Sequence, residues 1–188
     1  MARGEWTTQV ARELLKEFDQ QGLDVLHDHR DKDTDLQGAL GKLRSWFGPA
    51  STNETGLADL DLAVVSRDKK KKVYALIEIE ETTAKPKAIL GDVFATLLGT
   101  GITFPGRGAL SVGSWTTLIV LVHKPRPSHK RRLAYLEQQV NQLKTHLSTR
   151  NASIGRIVLD TFQDEAELKD KLERLIKEAL EQVKPDAK

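Results

Sequence analysis

"LADLDLAVVSRDKKKKVYALIEIEE", residues 57–81, is the stretch on which the fold turns. Two apolar runs flank a lysine-rich segment, which predicts a β-hairpin with strands at 57–66 and 72–81. Inside those strands stand Asp59, Asp61, Glu78 and Glu80. Acidic side chains are poor strand formers and like charges facing each other across a sheet repel, so their presence needs a cause. Side chains alternate between the faces of a strand. That puts Tyr74, Leu76, Glu78 and Glu80 on one face of the second strand and Val73, Ala75, Ile77 and Ile79 on the other. On the first strand Asp59, Asp61, Ala63 and Val65 lie opposite to Leu60, Leu62 and Val64. Pairing Arg67 with Lys72 leaves "DKKK" as the connection. It sets Asp61 across from Glu78 and Asp59 across from Glu80. A slip of one residue would turn Asp61 in among the isoleucines. Directly opposed Cβ atoms are about 5 Å apart, and four carboxylates that close do not all stay ionised unaided. A divalent cation resolves the conflict, and an all-oxygen donor set suits Mg2+ or Mn2+. The plain alternative is a solvated acidic cluster flanked by lysines. The mixed faces and the double pairing favour the metal site.

Working outward, Trp6, Val10, Leu14 and Phe18 recur every four positions and predict a helix over 5–21. Residues 23–29 read as a short strand. Leu36, Leu40, Leu43 and Phe47 predict a helix over 35–47, with Thr34 and Gln37 as a capping box. Residues 48–56 are a loop by composition. After the hairpin, Ile89, Val93 and Leu97 predict a helix over 86–98. "GTGITFPGRGALSVGS" (99–114) reads as irregular, and "WTTLIVLV" (115–122) as a central strand buried on both faces. A helix over 128–147, a buried strand over 154–160 and a helix over 164–183 complete the chain. Strands alternating with helices imply crossovers. The expectation is one α/β domain over 1–188, with a mixed central sheet flanked by helices.

Composition narrows the function classes. The chain has 188 residues, 39% of them hydrophobic, and no cysteine, which excludes disulfides, zinc–thiolate sites and thiol catalysis. Its 29 basic and 27 acidic residues nearly balance, so the placement of charge says more than the sum. No apolar run approaches the length of a signal peptide core or a membrane span, which predicts a soluble, cytoplasmic protein.

The acidic hairpin resembles the PD-(D/E)XK nuclease superfamily, whose restriction-endonuclease-like core is a helix, a hairpin bearing metal-binding acids, a helix and a further strand. "ADLDLAVV" resembles the first acidic element, with Asp61 as its acid and Asp59 as an alternate. "LIEIEE" resembles the second, with Glu78 in the acidic position. Glu80 stands where the motif has lysine, and Ala58 where it has proline. In some members the lysine lies on the following helix, where Lys85 or Lys87 would serve. Glu13 resembles an extra acid that some members carry on the first helix. The resemblance spans about residues 5–122 and implies Mg2+- or Mn2+-dependent hydrolysis of DNA. In that role Asp61 and Glu78 hold the cation, with the Ile79 carbonyl, and Glu80 or a lysine acts on the attacking water. A second metal ion on Glu80 and Asp59 would replace the missing lysine charge.

"HKPRPSHKRR" (123–132) follows the central strand and concentrates Lys124, Arg126, Lys130, Arg131 and Arg132. With Arg107 in the glycine-rich loop, these form the expected contact to a phosphate backbone. "HDHRDKDTD" (27–35) lacks the glycine and final acid of a calcium loop and reads as a helix-capping turn. The glycine-rich stretch lacks the lysine ending of a phosphate-binding loop. Leu133, Leu136, Val140, Leu143 and Leu147 span two heptads, enough for packing on the sheet and for a homodimer seam as the minor alternative. Two further classes stand beside a nuclease. One is a nuclease-fold protein that binds DNA or a protein partner without cutting. The other is an interaction protein whose carboxylates hold a cation only structurally.

Overall fold

Apolar spacing of three and four residues builds the helical layers, and the paired strands bring distant stretches of the chain together. The computed structural model describes residues 5–27, 42–48, 51–69, 71–81, 86–124, 130–148 and 154–183. Helix α1 (Glu5–Asp19) leads into β1 (Leu23–His27), then β2 (Leu43–Trp46), β3 (Gly56–Leu60), β4 (Leu62–Ser66) and β5 (Val73–Glu80). Helix α2 (Pro86–Leu98), β6 (Gly101–Phe104), β7 (Gly108–Leu110), β8 (Thr117–His123), α3 (Lys130–Ser148), β9 (Arg156–Phe162) and α4 (Glu165–Glu181) follow. The fold is mixed α/β. A five-stranded sheet runs β1-β4-β5-β8-β9, antiparallel among the first three and parallel among the last three.

That sheet is covered on both faces. Val10, Leu14 and Phe18 of α1 and Leu168, Leu172, Leu175 and Ile176 of α4 pack with Leu62, Val64, Ala75, Ile77 and Ile79 on one side. Ile89, Val93 and Leu97 of α2 and Leu136 and Val140 of α3 pack with Ala63, Val65, Val73 and Leu76 on the other. Each such fully buried aliphatic side chain contributes about 1.5–3 kcal/mol from burial. Lys169–Glu13 at 2.8 Å and Lys177–Glu17 at 2.6 Å tie α4 to α1 along the partly exposed rim. Glu13 is therefore a helix-pairing acid and stands apart from the hairpin acids. No helix among the described residues is long and apolar enough to cross a membrane.

Five expectations change. Leu43 and Ser45 are buried at strand spacing, so 43–46 is a strand rather than the end of a helix over 35–47. Residues 28–41, which hold the rest of that helix, its capping box and most of "HDHRDKDTD", lie outside the described residues. Secondly, 99–114 carries a hairpin, β6 and β7, whose turn places Gly106 at φ +76° and Gly108 at φ +69°, conformations that suit glycine. Thirdly, a four-stranded antiparallel sheet, β3-β2-β6-β7, stands beside the main one. Leu43, Leu60, Ile102, Phe104 and Leu110 join it to the α2–α3 core. Fourthly, β9 is an edge strand with mostly half-buried residues, not a buried one.

The last change concerns the hairpin. Its first strand breaks at Asp61, where the chain bends between β3 and β4 and passes from one sheet to the other. At the turn, Ser66 N–H donates to the Lys72 carbonyl at 2.8 Å, so the connection is one residue longer than expected. A bulge then offsets this. Val65 pairs with Val73 but Val64 with Ala75, leaving Tyr74 as the extra residue. The bulge moves Tyr74 to the α1–α4 side and Val73 to the α2–α3 side. Beyond it the register is the expected one, with Leu62 across from Ile77.

Candidate metal and phosphodiesterase site

Asp61 lies against the β5 strand at Ile79, and Asp59 does not. Continuing the β4–β5 ladder past Leu62–Ile77 would set Leu60 opposite Ile79. Leu60 instead pairs with Leu43 in the second sheet. The Ile79 N–H thus loses its strand partner, and a buried backbone donor left alone is costly. Asp61 takes that place: its Oδ2 accepts from Ile79 N–H at 2.7 Å. The bond fixes one carboxylate against the strand that carries Glu78 and Glu80, between those two residues. Glu78 and Glu80 are both half-buried, and the Glu78 Oε1 is withdrawn from solvent.

Asp59 leaves with β3. It pairs across to Arg44 and meets Lys42 Nζ at 2.5 Å and Arg44 Nε at 2.9 Å. Burial pushes its carboxyl up, but the hydrogen bonds from Lys42 and Arg44 outweigh burial and hold it below the ordinary value. Two cations already neutralise it. The break at Asp61 therefore corrects the expected pairing of Asp59 with Glu80.

Asp92 on α2 was not singled out in the sequence. Asp92 is an exposed residue of α2, but partial desolvation of its carboxyl raises it above the ordinary value, and the charge of Glu80 raises it further. Both acids belong to the α2 side of the sheet. The one available signal was its place beside Val93 on the flank of the apolar stripe that packs on β5. Glu81 turns to the other side, where it accepts from Thr7 N–H at 2.7 Å and from Thr7 Oγ1 at 2.5 Å.

The expected basic residues are spread over the molecule. Lys87 is exposed on α2, and Lys85 and Arg126 lie outside the described residues. Lys124 is exposed directly after β8, at the end of the sheet where Val122 pairs with Glu80, and its Nζ is 3.5 Å from Glu167. Lys130, Arg131 and Arg132 form the first turn of α3. Arg107 pairs with Asp24, which also binds Arg67 at 2.6 Å. Asp24 is opposite Val65, near the hairpin turn. Arg107 thus sits at the turn end of the sheet and Lys124 at the acidic end, rather than side by side.

The donor chemistry of Asp61, Glu78 and Glu80 fits a hard divalent cation, being all carboxylate oxygen. Their spacing is not that of a closed ligand set, for no three His, Asp or Glu side chains among the described residues converge closely enough to hold a metal. The chain matches no family model, no curated protein and no solved structure.

Proposed function

We propose that the protein is a Mg2+- or Mn2+-dependent endonuclease that hydrolyses DNA phosphodiester bonds. The observation that carries this reading is the 2.7 Å bond from Ile79 N–H to Asp61, which locks one acid beside Glu78 and Glu80 on a covered sheet. The order of α1, the acidic β4–β5 pair, α2 and β8 also agrees with the order implied by the resemblance to PD-(D/E)XK nucleases. Asp61 and Glu78 would hold the cation, and Glu80, at the end of β5, would orient and deprotonate the attacking water. When bound, the cation supplies an activated water and stabilises charge on the phosphate oxygens. Asp61 does not swing freely, because its second function is to complete the backbone of β5. Lys124, at the same end of the sheet, supplies a positive charge for the DNA backbone.

A second reading, a nuclease-fold protein that binds DNA or a protein partner without cutting, is favoured by the open spacing of the acids. Supercoiled plasmid and single-stranded DNA, incubated with the protein and Mg2+ or Mn2+, distinguish the two. Cation-dependent cutting supports the nuclease. Salt-sensitive DNA binding with no cutting supports the binder.

A further inference from the structure

Helix α2 has apolar residues all round it, and its polar members are Lys87, Asp92 and Thr96. A helix of that kind is ordinarily buried on every side. Ile89, Val93 and Leu97 do pack on the sheet, and Thr96 is buried beside them with its hydroxyl donating to the Asp92 carbonyl at 2.8 Å. The opposite face is open. At 3.6 residues per turn Lys87, Ala88, Gly91, Phe94, Ala95 and Leu98 share that face. Ala95 is half-buried and the other five are exposed. Phe94 is 48% exposed and Leu98 46%. Phe47, itself exposed, adjoins the same end of α2, because the carbonyl of Trp46 accepts from Thr100 N–H at 2.8 Å. Clustered apolar exposure of this kind marks an association surface, whereas scattered single residues do not.

Shape and charge both say what covers it. Gly91 stands mid-helix at the centre of the face, where glycine weakens a helix. A Cβ built on Gly91 would meet nothing within 4 Å, so the packing of this chain does not require glycine there. Close approach from outside does. The first turn of α2 carries Lys87 and no acid, and the last turn carries no base, so neither end suits the helix dipole. An antiparallel copy of α2 corrects both ends, setting Lys87 of each chain against the C-terminal end of the other. The register that places Lys87 beside Leu98 of the other copy also places Phe94 over its Gly91, the bulkiest residue of the face on the gap in it. We propose that this face of α2 is a twofold self-association surface, on which a second copy of the chain lays its own α2 antiparallel. Twofold symmetry makes the contact of Phe94 with Gly91 twice. The association does not depend on what the acidic hairpin binds.

Sedimentation equilibrium of the full chain between about 1 and 300 µM tests it, a range suited to the small area that one helix face buries. The proteins compared are wild type, Gly91→Gln, Phe94→Ser and Lys87→Glu, each checked for folding by circular dichroism. Wild type should approach twice the monomer mass as its concentration rises. Gly91→Gln and Phe94→Ser should each weaken association about tenfold or more, since one blocks and the other removes the central aromatic anchor. Lys87→Glu suits the first turn of its own helix but sets an acid at the C-terminal end of the other copy, so association should weaken at least about threefold. Gly91→Gln carries a second readout of opposite sign. Glutamine is the better helix former and has open space around it, so the dilute monomer should melt about 1–3 °C above wild type while the dimer is lost. Wild type that stays monomeric over the whole range overturns the proposal and leaves the face to another partner. A dimer that persists undiminished in Gly91→Gln and Phe94→Ser also overturns it, and places self-association elsewhere, as at the exposed Tyr135 of α3. Lys87→Glu that dimerises as tightly as wild type overturns the antiparallel pairing.

Discussion

Replacing Asp61 separates a structural function from a chemical one. In Asp61→Ala the Ile79 N–H loses its acceptor at a point where no strand can replace it. Losing a hydrogen bond to a charged group costs about 1.5–3 kcal/mol. For a chain of this size each kcal/mol lowers Tm by about 2–4 °C. With about 2 kcal/mol lost, Asp61→Ala should melt about 4–8 °C below wild type in EDTA, where metal contributes nothing. Asp61→Asn retains a carbonyl acceptor of nearly the same reach. It should recover at least half of that loss while removing the anionic ligand, so both variants should fail to cut DNA but only alanine should be markedly unstable. Thermal unfolding followed by circular dichroism reads the difference. Equal stability of the two variants, or an Asp61→Ala protein as stable as wild type, would refute the view that this carboxylate substitutes for a strand.

Three other perturbations bear on the same frame. Asp59 is held ionised by Lys42 and Arg44, so its contribution is present above the unfolded carboxyl pKa of about 3.9 and is lost as pH falls through its lower folded value. Asp59→Asn should cost about 0.5–1 kcal/mol near neutrality, given its partial exposure, and nothing in strong acid, as urea unfolding at several pH values would show. Asp92 has the opposite sign: burial and Glu80 raise its folded pKa, so its ionisation opposes folding as pH rises through that value. Metal-free Asp92→Asn should melt above wild type at neutral pH, and the gap should close below about pH 4. Finally, a Cβ on Gly155 would overlap the Ser114 carbonyl oxygen and lie 2.7 Å from its carbon. Gly155→Ala should therefore destabilise by about 1–3 kcal/mol in the same unfolding assay.

What the sequence made legible follows from which forces act locally. The stripes Val10–Leu14–Phe18 and Leu168–Leu172–Leu175 announce their helices because burial of one helical face sets their spacing. The double-sided burial of 118–122 shows in its unbroken apolar run. The second sheet is not legible in the same way, since Leu43 and Ser45 alternate over only four residues and β7 is only three long. Short alternations fit a helix phase as well as a strand phase. The approach of Asp61 to the Glu78–Glu80 strand was legible through the register argument, because a slip would bury a carboxylate among Ile77 and Ile79. It held even though the turn is one residue longer, because the bulge at Tyr74 absorbs the difference. The exit of Asp59 was not legible, since "ADLDLAVV" carries no glycine or proline at the bend to mark where one strand becomes two. Asp92 and Thr7 could be placed only by tertiary packing of helices on opposite faces of β5.

Cleavage of supercoiled plasmid by wild type, Asp61→Asn and Glu78→Gln, in Mg2+ and in Mn2+, would decide whether these two carboxylates hold a catalytic cation. The two variants preserve side-chain shape while replacing the anionic carboxylate with a neutral amide, one oxygen becoming an NH2 donor. Wild type should cut only when the cation is present, and both variants, still folded, should not cut. Cutting that survives both substitutions would contradict that role, and so would a wild-type protein that leaves the plasmid intact in either cation.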